Sequence, residues 1–441
     1  MTSLEDHYRD VQSPFLVEEA PDYADLVVPT GNTDEPVHRW FHVKEAFSHR
    51  LLPRVLKDLG LAEAEELRVL DPYAGSGTTA ASAAAAVRDG SFTAANVAGV
   101  ECNGFLHLVA SAKIAALRNP PKRLNEVAER VASRALASQD SVELPALSTF
   151  QNSDYFERDD VAQLVRLRLA IDATERRGSA AEAVALLRVA LGATIEPICN
   201  LRRDGRTLRY SEKRTRPPVI EAWRAKVAQI EADLPTTGIA VDGDVHRGDA
   251  RTLDDIAPDW TCDLALFSPP YPNNIDYTEV YKLENWLLGF ITSGEEFTSQ
   301  RLRTAYSHPS ILRVDPMPAP ELSEEENRRV AGCIDPVVDA LPADRYFEGR
   351  RRMFRGYAVD MYRTLRAVRR TLRPGADVVY VVGNSAHGGR EAAFVVAADI
   401  IIAQVAEVAG LSVQRIAVAR YPRRRSVDSA FLRESVVFLK G

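Results

Sequence analysis

Residues 71–79 join a short apolar run to an alanine-rich stretch, and they include two glycines, Gly75 and Gly77. The apolar run at 67–70 predicts a buried strand, and residues 80–87 predict a helix. A tight turn between strand and helix leaves the first backbone N–H groups of the helix unpaired, and glycine lets a ligand approach them closely. The sequence therefore predicts a turn that accepts an anionic group. Taken alone, the same pattern also fits a tight connection that binds nothing.

Acidic side chains lie at the ends of two later predicted strands. Residues 96–103 predict a strand that carries Glu101, 24 residues after Gly77. In nucleotide-binding βαβ units, an acid about 20 residues after the glycine turn accepts hydrogen bonds from ribose hydroxyls. Residues 244–248 predict a strand followed by Asp249, whose carboxylate can accept a hydrogen bond from an adenine amino group. Because parallel strands end at the same edge of a sheet, these residues predict an adenosine site. A solvated strand end is the alternative for Glu101.

A second motif, Ser268-Pro269-Pro270-Tyr271, follows a predicted buried strand at 262–267. Two consecutive prolines stop a strand and fix the backbone, so their carbonyl groups have no strand partner and a defined direction. Tyr271 is predicted to present an exposed flat ring beside them. At the same sheet edge as the adenosine site, this motif predicts a pocket for a planar substrate.

The rest of the chain alternates strands with helices and predicts an α/β fold around a mostly parallel sheet. Residues 1–37 are acidic and interrupted by prolines, which predicts an irregular arm. Residues 38–104 and 241–441 predict the core. Residues 105–240 predict a helical insertion without a convincing strand, and residues 291–345 predict a smaller insertion within the core.

The charge of the whole chain gives no case for nucleic-acid binding. The formal net charge is −7, so a basic contact surface must be local. Within the helical insertion, residues 202–216 carry seven basic and two acidic side chains, with Tyr210 among them. Such a run often forms only a solvated surface or a hairpin, but arginine suits phosphate contacts. The predicted nucleic-acid contacts are Arg202, Arg203, Arg206, Arg209, Lys213, Arg214 and Arg216.

The four cysteines, Cys102, Cys199, Cys262 and Cys333, are far apart in the sequence. Their spacing argues against a zinc site or a disulfide framework and predicts no bound metal. The first residues are polar, and no apolar run approaches the length of a membrane span. These features predict a cytoplasmic protein without membrane association.

The paired motifs at 71–79 and 268–271 resemble those of S-adenosylmethionine-dependent DNA amino-methyltransferases, which modify adenine N6 or cytosine N4. The resemblance covers most of the predicted core, and it implies a Rossmann-like methyltransferase fold, S-adenosyl-L-methionine as cofactor and DNA as partner. Residues 44–48 resemble the family segment that helps to hold the methionine end of the cofactor. Asn384 and Ser385 also resemble the family, without an assigned role. The cofactor-binding residues so implied are Lys44, Phe47, Asp71, Tyr73, Gly75, Gly77, Thr78, Glu101, Cys102, Asp249 and Ala250.

The resemblance also implies a mechanism that suits the chemistry of the second motif. An exocyclic amine of a base is a poor nucleophile, and acceptors aimed at its two hydrogens relieve the positive charge that grows during attack on a methyl group. The Ser268 hydroxyl and the Pro269 carbonyl are suitable acceptors, Pro270 fixes the turn, and Tyr271 would stack on the base. The base must leave the duplex, which costs a few kcal/mol.

The sequence alone allows several interpretations of the target base and of the segment that recognises it. Serine at position 268, where the family also uses Asp or Asn, favours cytosine N4 over adenine N6. Target recognition would fall to residues 105–240, to residues 291–345 or to a partner protein of a restriction or defence system. One alternative is an RNA base amino-methyltransferase, although residues 1–37 are too short for the usual N-terminal RNA-binding domain. The other is a non-catalytic DNA-binding subunit.

Overall fold

A central eight-stranded sheet organises the structure. The computed structural model describes residues 4–63, 65–138, 140–178, 180–204, 207–212, 215–256, 259–311, 314–341, 345–388, 393–422 and 428–441. The strands in these ranges are β1 (Val17–Glu19), β2 (Glu66–Asp71), β3 (Ala94–Glu101), β4 (Leu201–Arg203), β5 (Leu208–Tyr210), β6 (Val241–Arg247), β7 (Cys262–Phe267), β8 (Leu372–Gly383), β9 (Ser385–His387), β10 (Phe394–Val396), β11 (Ser412–Arg420) and β12 (Glu434–Lys440). The α-helices in these ranges are α1 (Leu4–Gln12), α2 (Leu51–Asp58), α3 (Thr78–Arg88), α4 (Gly104–Arg118), α5 (Leu124–Ala137), α6 (Ser148–Gln151), α7 (Arg158–Glu175), α8 (Ala181–Ile198), α9 (Val219–Asp233), α10 (Leu253–Ile256), α11 (Tyr277–Val280), α12 (Lys282–Leu287), α13 (Gly294–Arg303), α14 (Glu324–Asp339), α15 (Arg345–Thr371) and α16 (Ala398–Val408).

The strands follow the order β1-β11-β12-β8-β7-β2-β3-β6 across the sheet. β12 is antiparallel to both of its neighbours, β11 and β8, whereas the other neighbouring pairs are parallel. The chain runs from β2 outwards to β3 and β6 and then returns to β7 on the other side of β2. Open α/β sheets bind ligands in the crevice at such a reversal, beyond the carboxyl ends of the strands. The predicted Rossmann-like α/β fold with a mostly parallel sheet is confirmed.

Both faces of the sheet are covered, which explains the continuous apolar runs of its central strands. In β7, Leu264 and Leu266 join the apolar cluster that includes α2, α3 and α4. The intervening Ala265 and Phe267 join a second cluster, with α15 and α16, on the opposite face. Successive strand residues point to opposite faces, so each face receives alternate side chains. Full burial of a large apolar side chain stabilises the fold by about 1.5–3 kcal/mol.

Residues 1–37, predicted as an irregular arm, contain α1 and β1 in their described part. β1 pairs in parallel with β11, with Val17 opposite Ile416. Tyr8 is buried, and its hydroxyl donates to the carbonyl of Val395 at 3.0 Å. The prediction of an irregular segment is wrong for α1 and β1, because Pro14 lies between these elements and the other prolines follow β1, so that their backbone pairing is intact.

Helices α4 to α9 connect β3 to β6, within the predicted helical insertion. α4 packs on β6 and β3 as a crossover helix of the sheet, whereas α5, α7, α8 and α9 pack mainly on each other and on α4. β4 and β5 form an antiparallel hairpin in which Arg202 is paired with Arg209. The segment thus combines a crossover helix, a helical layer and a short hairpin.

The smaller predicted insertion, residues 291–345, contributes α13 and α14. α14 packs on α15 and α16, on one face of the sheet. The C-terminal end of α13 instead reaches the crevice at the reversal of strand order. None of the helices in the described ranges is both long and apolar enough to cross a membrane.

Candidate active site

A cavity of about 330 Å³ lies at the carboxyl ends of β2, β3 and β7. Its size falls within the range of small-molecule pockets, about 300–1,000 Å³. It brings together the four residues of the second motif and the predicted cofactor-binding residues except Gly77. The predicted residues that line it are Lys44, Phe47, Asp71, Tyr73, Gly75, Thr78, Glu101, Cys102, Asp249, Ala250, Ser268, Pro269, Pro270 and Tyr271. The roles of these residues stay predictions.

The glycine turn is shaped by backbone conformations that favour glycine. Gly75 has φ +52° and Gly77 has φ +79°, both in the left-handed region. A Cβ atom at Gly77 would lie 3.0 Å from the Cα of Ala110 in α4. Gly77 therefore allows α3 and α4 to approach each other and does not line the cavity, whereas Gly75 does.

Asp71 stabilises the start of the same turn. Its carboxylate accepts hydrogen bonds from the backbone N–H of Tyr73 at 3.0 Å and from the Thr79 hydroxyl at 2.6 Å. Burial raises the pKa of Asp71 to about 7. The carboxylate thus links β2 to the first turn of α3, and it orders the backbone that faces the cavity.

Glu101 connects the glycine turn to the end of β3. Its two carboxylate oxygens accept from the backbone N–H groups of Gly75, at 2.9 Å, and Asn103, at 2.7 Å. The Cys102 thiol is a further neighbour of the carboxylate, whose two oxygens together still have a lone pair that can accept from a ligand hydroxyl. Burial raises the pKa of Glu101 to about 7. This geometry suits the predicted ribose contact.

Arg251 is a cavity residue that the sequence did not indicate. Its Nε donates to Asp249 Oδ1 at 2.8 Å, and its Nη1 lies 2.9 Å from Oδ1 of the buried Asp360. The Asp249 carboxylate therefore already has an arginine partner and must share its lone pairs with any adenine amino group. A basic residue two positions after the acid carried no signal, because its partner Asp360 lies in α15, far along the chain.

Three buried polar atoms on the cavity wall have no hydrogen-bond partner among the described residues: Glu45 Oε1, Thr278 Oγ1 and Gln300 Nε2. The other carboxylate oxygen of Glu45 accepts from the Tyr281 hydroxyl at 2.7 Å, and burial raises the pKa of this carboxyl group. Buried polar groups without partners are rare, so these atoms indicate a polar ligand. With Glu101, they fit a cofactor that carries a ribose, an amino group and a carboxylate.

The Ser268–Tyr271 turn leaves β7 directly into the cavity. The Ser268 hydroxyl donates to the Tyr271 hydroxyl at 3.2 Å, and the backbone N–H of Tyr271 donates to the Tyr277 hydroxyl at 3.3 Å. Tyr271 is half-buried, so the expectation of an exposed ring is wrong. Its ring lies against Gly383, where a Cβ atom would be 3.0 Å from the ring carbon Cε2.

Asn384 and Ser385 follow β8, next to this turn in the fold. The Ser385 hydroxyl donates to the carbonyl of Pro272 at 3.0 Å, and Nε2 of the buried His387 lies 2.9 Å from the same oxygen. The Asn384 side chain donates to Asp399 at 2.7 Å, inside the core. Ser385 therefore supports the turn after β7, whereas Asn384 joins elements of the core, and neither residue lines the cavity.

Comparison with known proteins identifies relatives along most of the chain. The Type II methyltransferase M.AvaI of Nostoc sp. (strain PCC 7120) is 24% identical over 440 residues, which cover 88% of this chain and 81% of that protein. A protein of the same name from Anabaena variabilis matches equally. The Type II methyltransferase M.BsoBI of Geobacillus stearothermophilus is 22% identical, over 87% of this chain and 80% of that protein.

The chain is therefore similar to Type II methyltransferases over most of its length. The resemblance drawn from residues 71–79 and 268–271 is thereby confirmed. No protein-family model matches the chain. The rRNA methyltransferase aviRa from Streptomyces viridochromogenes aligns over 96% of both chains, but with 11% identity and a TM-score of 0.31 it supports no conclusion.

In this relative of the methyltransferases, the basic segment 202–216 divides into buried and exposed parts. Arg203 is buried, and its guanidinium forms ion pairs with Glu196, at 2.6 Å, and with the buried Glu284. The prediction that Arg203 contacts nucleic acid is wrong, because the side chain is buried and both of its terminal nitrogens pair with protein carboxylates. Its carbonyl accepts from the Lys44 side chain, which joins the base of the hairpin to the cavity wall.

The other described arginines of that segment are exposed, for Arg202 and Arg209, or partly exposed, for Arg216. Arg202 and Arg209 are exposed on the hairpin, where Arg209 forms an ion pair with Asp204. Arg216 pairs with Glu157 at 3.0 Å. Arg206, Lys213 and Arg214 lie outside the described residues. Contact of these side chains with nucleic acid stays a prediction.

Proposed function

We propose that the protein is a site-specific DNA methyltransferase that transfers a methyl group from S-adenosyl-L-methionine to an exocyclic amine of a flipped base. The observation that carries this proposal is that the glycine turn, Glu101 and the Ser268–Tyr271 turn line one cavity at the reversal of strand order. The kinship with Type II methyltransferases supports the same reaction class. Residues 38–104 and 241–441 would form the catalytic core.

The cofactor would lie between the glycine turn and the wall that carries Glu45. Glu101 would accept hydrogen bonds from the ribose, and Asp249 with Ala250 and Cys102 would border the adenine. At the methionine end, Lys44 offers a positively charged donor and Glu45 offers a carboxyl group. Gln300 offers an amide that can both donate and accept hydrogen bonds. When bound, the cofactor supplies an activated methyl group on a sulfonium, which is a good leaving group.

The protein's own contribution would be to position the amine and to stabilise the charge that develops on it. The Pro269 carbonyl and the Ser268 hydroxyl would accept from the two amine hydrogens, which directs the nitrogen lone pair toward the methyl group. The ring of Tyr271 would stack on the base. A stacked base returns about 1–3 kcal/mol, which offsets part of the cost of flipping.

Cytosine N4 is favoured over adenine N6 as the target, since serine opens the second motif. Target recognition would fall to residues 105–240, through the exposed arginines of the β4–β5 hairpin, with residues 291–345 covering the cavity. A restriction or defence partner and a cytoplasmic setting belong to the same proposal, because Type II methyltransferases are the relatives along most of the chain.

The test is methyl transfer from radiolabelled S-adenosyl-L-methionine to duplex DNA and, separately, to RNA. We expect label in DNA, and we expect N4-methylcytosine after digestion to nucleosides. The variants Ser268→Ala and Tyr271→Ala should lower the single-turnover rate about 100-fold while cofactor binding persists. Ser91→Ala, which removes an exposed hydroxyl outside the cavity, is the matched control and should leave the rate unchanged.

Each failure of this test has a distinct meaning. Label in RNA alone would replace DNA as the substrate, and N6-methyladenine would replace cytosine as the target. Cofactor and DNA binding without transfer would favour the non-catalytic subunit. An enzyme that binds no cofactor contradicts the proposal as a whole.

A further inference from the structure

The hydroxyl of Tyr271 has no role in the proposed methyl transfer, in which only the ring of this residue stacks on the base. A phenylalanine would supply the same ring. In the structure, however, this hydroxyl accepts from the Ser268 hydroxyl at 3.2 Å. Because the serine donates in that contact, the tyrosine keeps its own proton for another acceptor.

That acceptor is Glu434, the first residue of β12. The Glu434 carboxylate lies beside Tyr271, since both border the position of Gly383, and it interacts with the Tyr271 hydroxyl. Its other neighbour is Arg420, with Nε 2.6 Å from Oε2. Ser268, Tyr271, Arg420 and Glu434 all line the cavity. The cavity therefore brings together the serine that would hold the target amine, the tyrosine hydroxyl that accepts from this serine, and a buried carboxylate beside that tyrosine.

The sheet explains why Glu434 reaches this place. β12 is antiparallel to its neighbours, so its first residue lies at the edge where the parallel strands end. Glu434 is paired with Gly383 of β8 on one side and with Arg420 of β11 on the other. A Cβ atom at Gly383 would lie 3.0 Å from the Tyr271 ring and 3.6 Å from Glu434 Oε1, so glycine leaves room for their contact.

Methyl transfer to an exocyclic amine releases a proton. The N–CH₃ bond forms as the S–CH₃ bond breaks, and the positive charge moves from sulfur to the methylated nitrogen. Loss of one N–H proton then restores the neutral amine. A buried site without a proton acceptor would retain that charge, at a large cost in free energy.

We propose that Ser268, Tyr271 and Glu434 form a proton relay that carries this proton from the methylated amine to the Glu434 carboxylate. The inference rests on the proposed function. The amine proton passes to Ser268 Oγ, the serine proton passes to Tyr271 Oη, and the tyrosine proton passes to Glu434. The methylated base becomes neutral, and the carboxylate becomes a carboxylic acid that returns its proton to solvent after product release.

The surroundings of Glu434 suit this role. Burial raises the pKa of Glu434, which strengthens it as a base, while Arg420 and Tyr271 act in the opposite direction. Among the residues that the structure describes, the charged and titratable groups that act on the carboxylate are Arg420 from β11 and Tyr271 from the turn after β7. The carboxylate would be ionised before the reaction and would accept a proton without leaving an unpaired charge.

The test compares Tyr271→Phe and Glu434→Gln with the wild type in single-turnover methyl transfer across pH, at saturating cofactor and DNA. For the wild type, the rate should rise with pH as Glu434 ionises and then level off. Both variants should transfer about 100-fold more slowly and lose that rise, with dissociation constants for cofactor and DNA close to those of the wild type. Glu434→Asp should restore part of the rate and of the pH dependence.

Two substitutions of the same kind outside the cavity serve as controls. Tyr23→Phe removes a hydroxyl that donates to Asp58 at 2.6 Å, and Glu18→Gln removes an ion pair with Arg415 at 2.6 Å. Both should keep the rate and its pH profile. Wild-type rates and an unchanged pH profile in Tyr271→Phe and in Glu434→Gln would overturn the relay while leaving the methyltransferase proposal intact. A wild-type protein that transfers no methyl group would overturn both.

Discussion

Glu101 is the residue on which cofactor affinity should depend most directly on pH. The pKa of this carboxyl group is raised to about 7 by burial. Ribose hydroxyls donate to the ionised form, so binding should favour loss of the proton. We expect the affinity for S-adenosyl-L-methionine to increase as pH rises from 6 to 8, by about tenfold, and to level off above the pKa. Isothermal titration calorimetry across this range measures the effect.

The variant Glu101→Gln distinguishes the titration of Glu101 from that of Asp71, whose pKa is also raised to about 7. The amide keeps the size of the side chain but no longer titrates. The variant should bind the cofactor about 10-fold to 100-fold more weakly at pH 8, because a charge-assisted hydrogen bond contributes about 1.5–3 kcal/mol. Its affinity should be nearly flat with pH. A variant that keeps the wild-type pH dependence would assign the titration to Asp71 instead.

At the scale of elements, the β4–β5 hairpin has a fixed base and an exposed charged surface. If Arg202 and Arg209 contact phosphates, replacing both with Gln should weaken DNA binding and reduce the slope of log K against log salt by up to about 2. Fluorescence anisotropy of labelled duplex DNA between 50 and 300 mM salt, roughly the range in which such slopes are resolved, measures this change. An unchanged slope would mean that the hairpin is a solvated surface that makes no phosphate contacts.

Two further arginines make this experiment specific. Arg123, exposed between α4 and α5, lies outside the hairpin, so Arg123→Gln should leave the slope unchanged. Arg203→Met should instead lower the free energy of unfolding, by about 3–5 kcal/mol, because it leaves the buried Glu284 without its partner. A changed slope in Arg123→Gln would indicate that any loss of positive charge lowers the slope, whether or not the residue lies in the hairpin.

The same elements show which parts of the structure could be predicted from the sequence. The strand–turn–helix unit at 66–88 and the Pro-Pro turn after β7 follow from local chemistry, because glycine and proline restrict the backbone within a few residues. The burial of Arg203 could not be predicted, since Glu284 lies 81 residues away in the chain. Arg251 and Glu434 were missed for the same reason: their partners meet them only when strands and helices from distant segments come together.

At the scale of the whole molecule, the N-terminal segment belongs to the fold of the sheet. β1 extends the sheet beyond β11, and α1 contacts α14 and α16 on one face. Composition suggested an irregular arm, since acidic residues and prolines are frequent in it. The helix α1, the strand β1 and the buried Tyr8 and Tyr23 contradict that expectation, because a few backbone hydrogen bonds and buried aromatic rings are enough to fix a short segment to the sheet.

Tyr8 fixes α1 to the core, and its removal tests whether the segment stabilises the whole molecule. The ring lies 5.2 Å from that of Phe431, between centroids, and the side chain is buried. Tyr8→Ala should lower the free energy of unfolding by about 3–5 kcal/mol, measured by urea denaturation. Cofactor binding by the folded protein should be unchanged, because Tyr8 does not line the cavity. Tyr210→Ala, at a tyrosine that is 55% exposed, is the control and should change stability by less than about 0.5 kcal/mol. An equally small effect of Tyr8→Ala would mean that the core is stable without α1 and that residues 1–37 act as an arm after all.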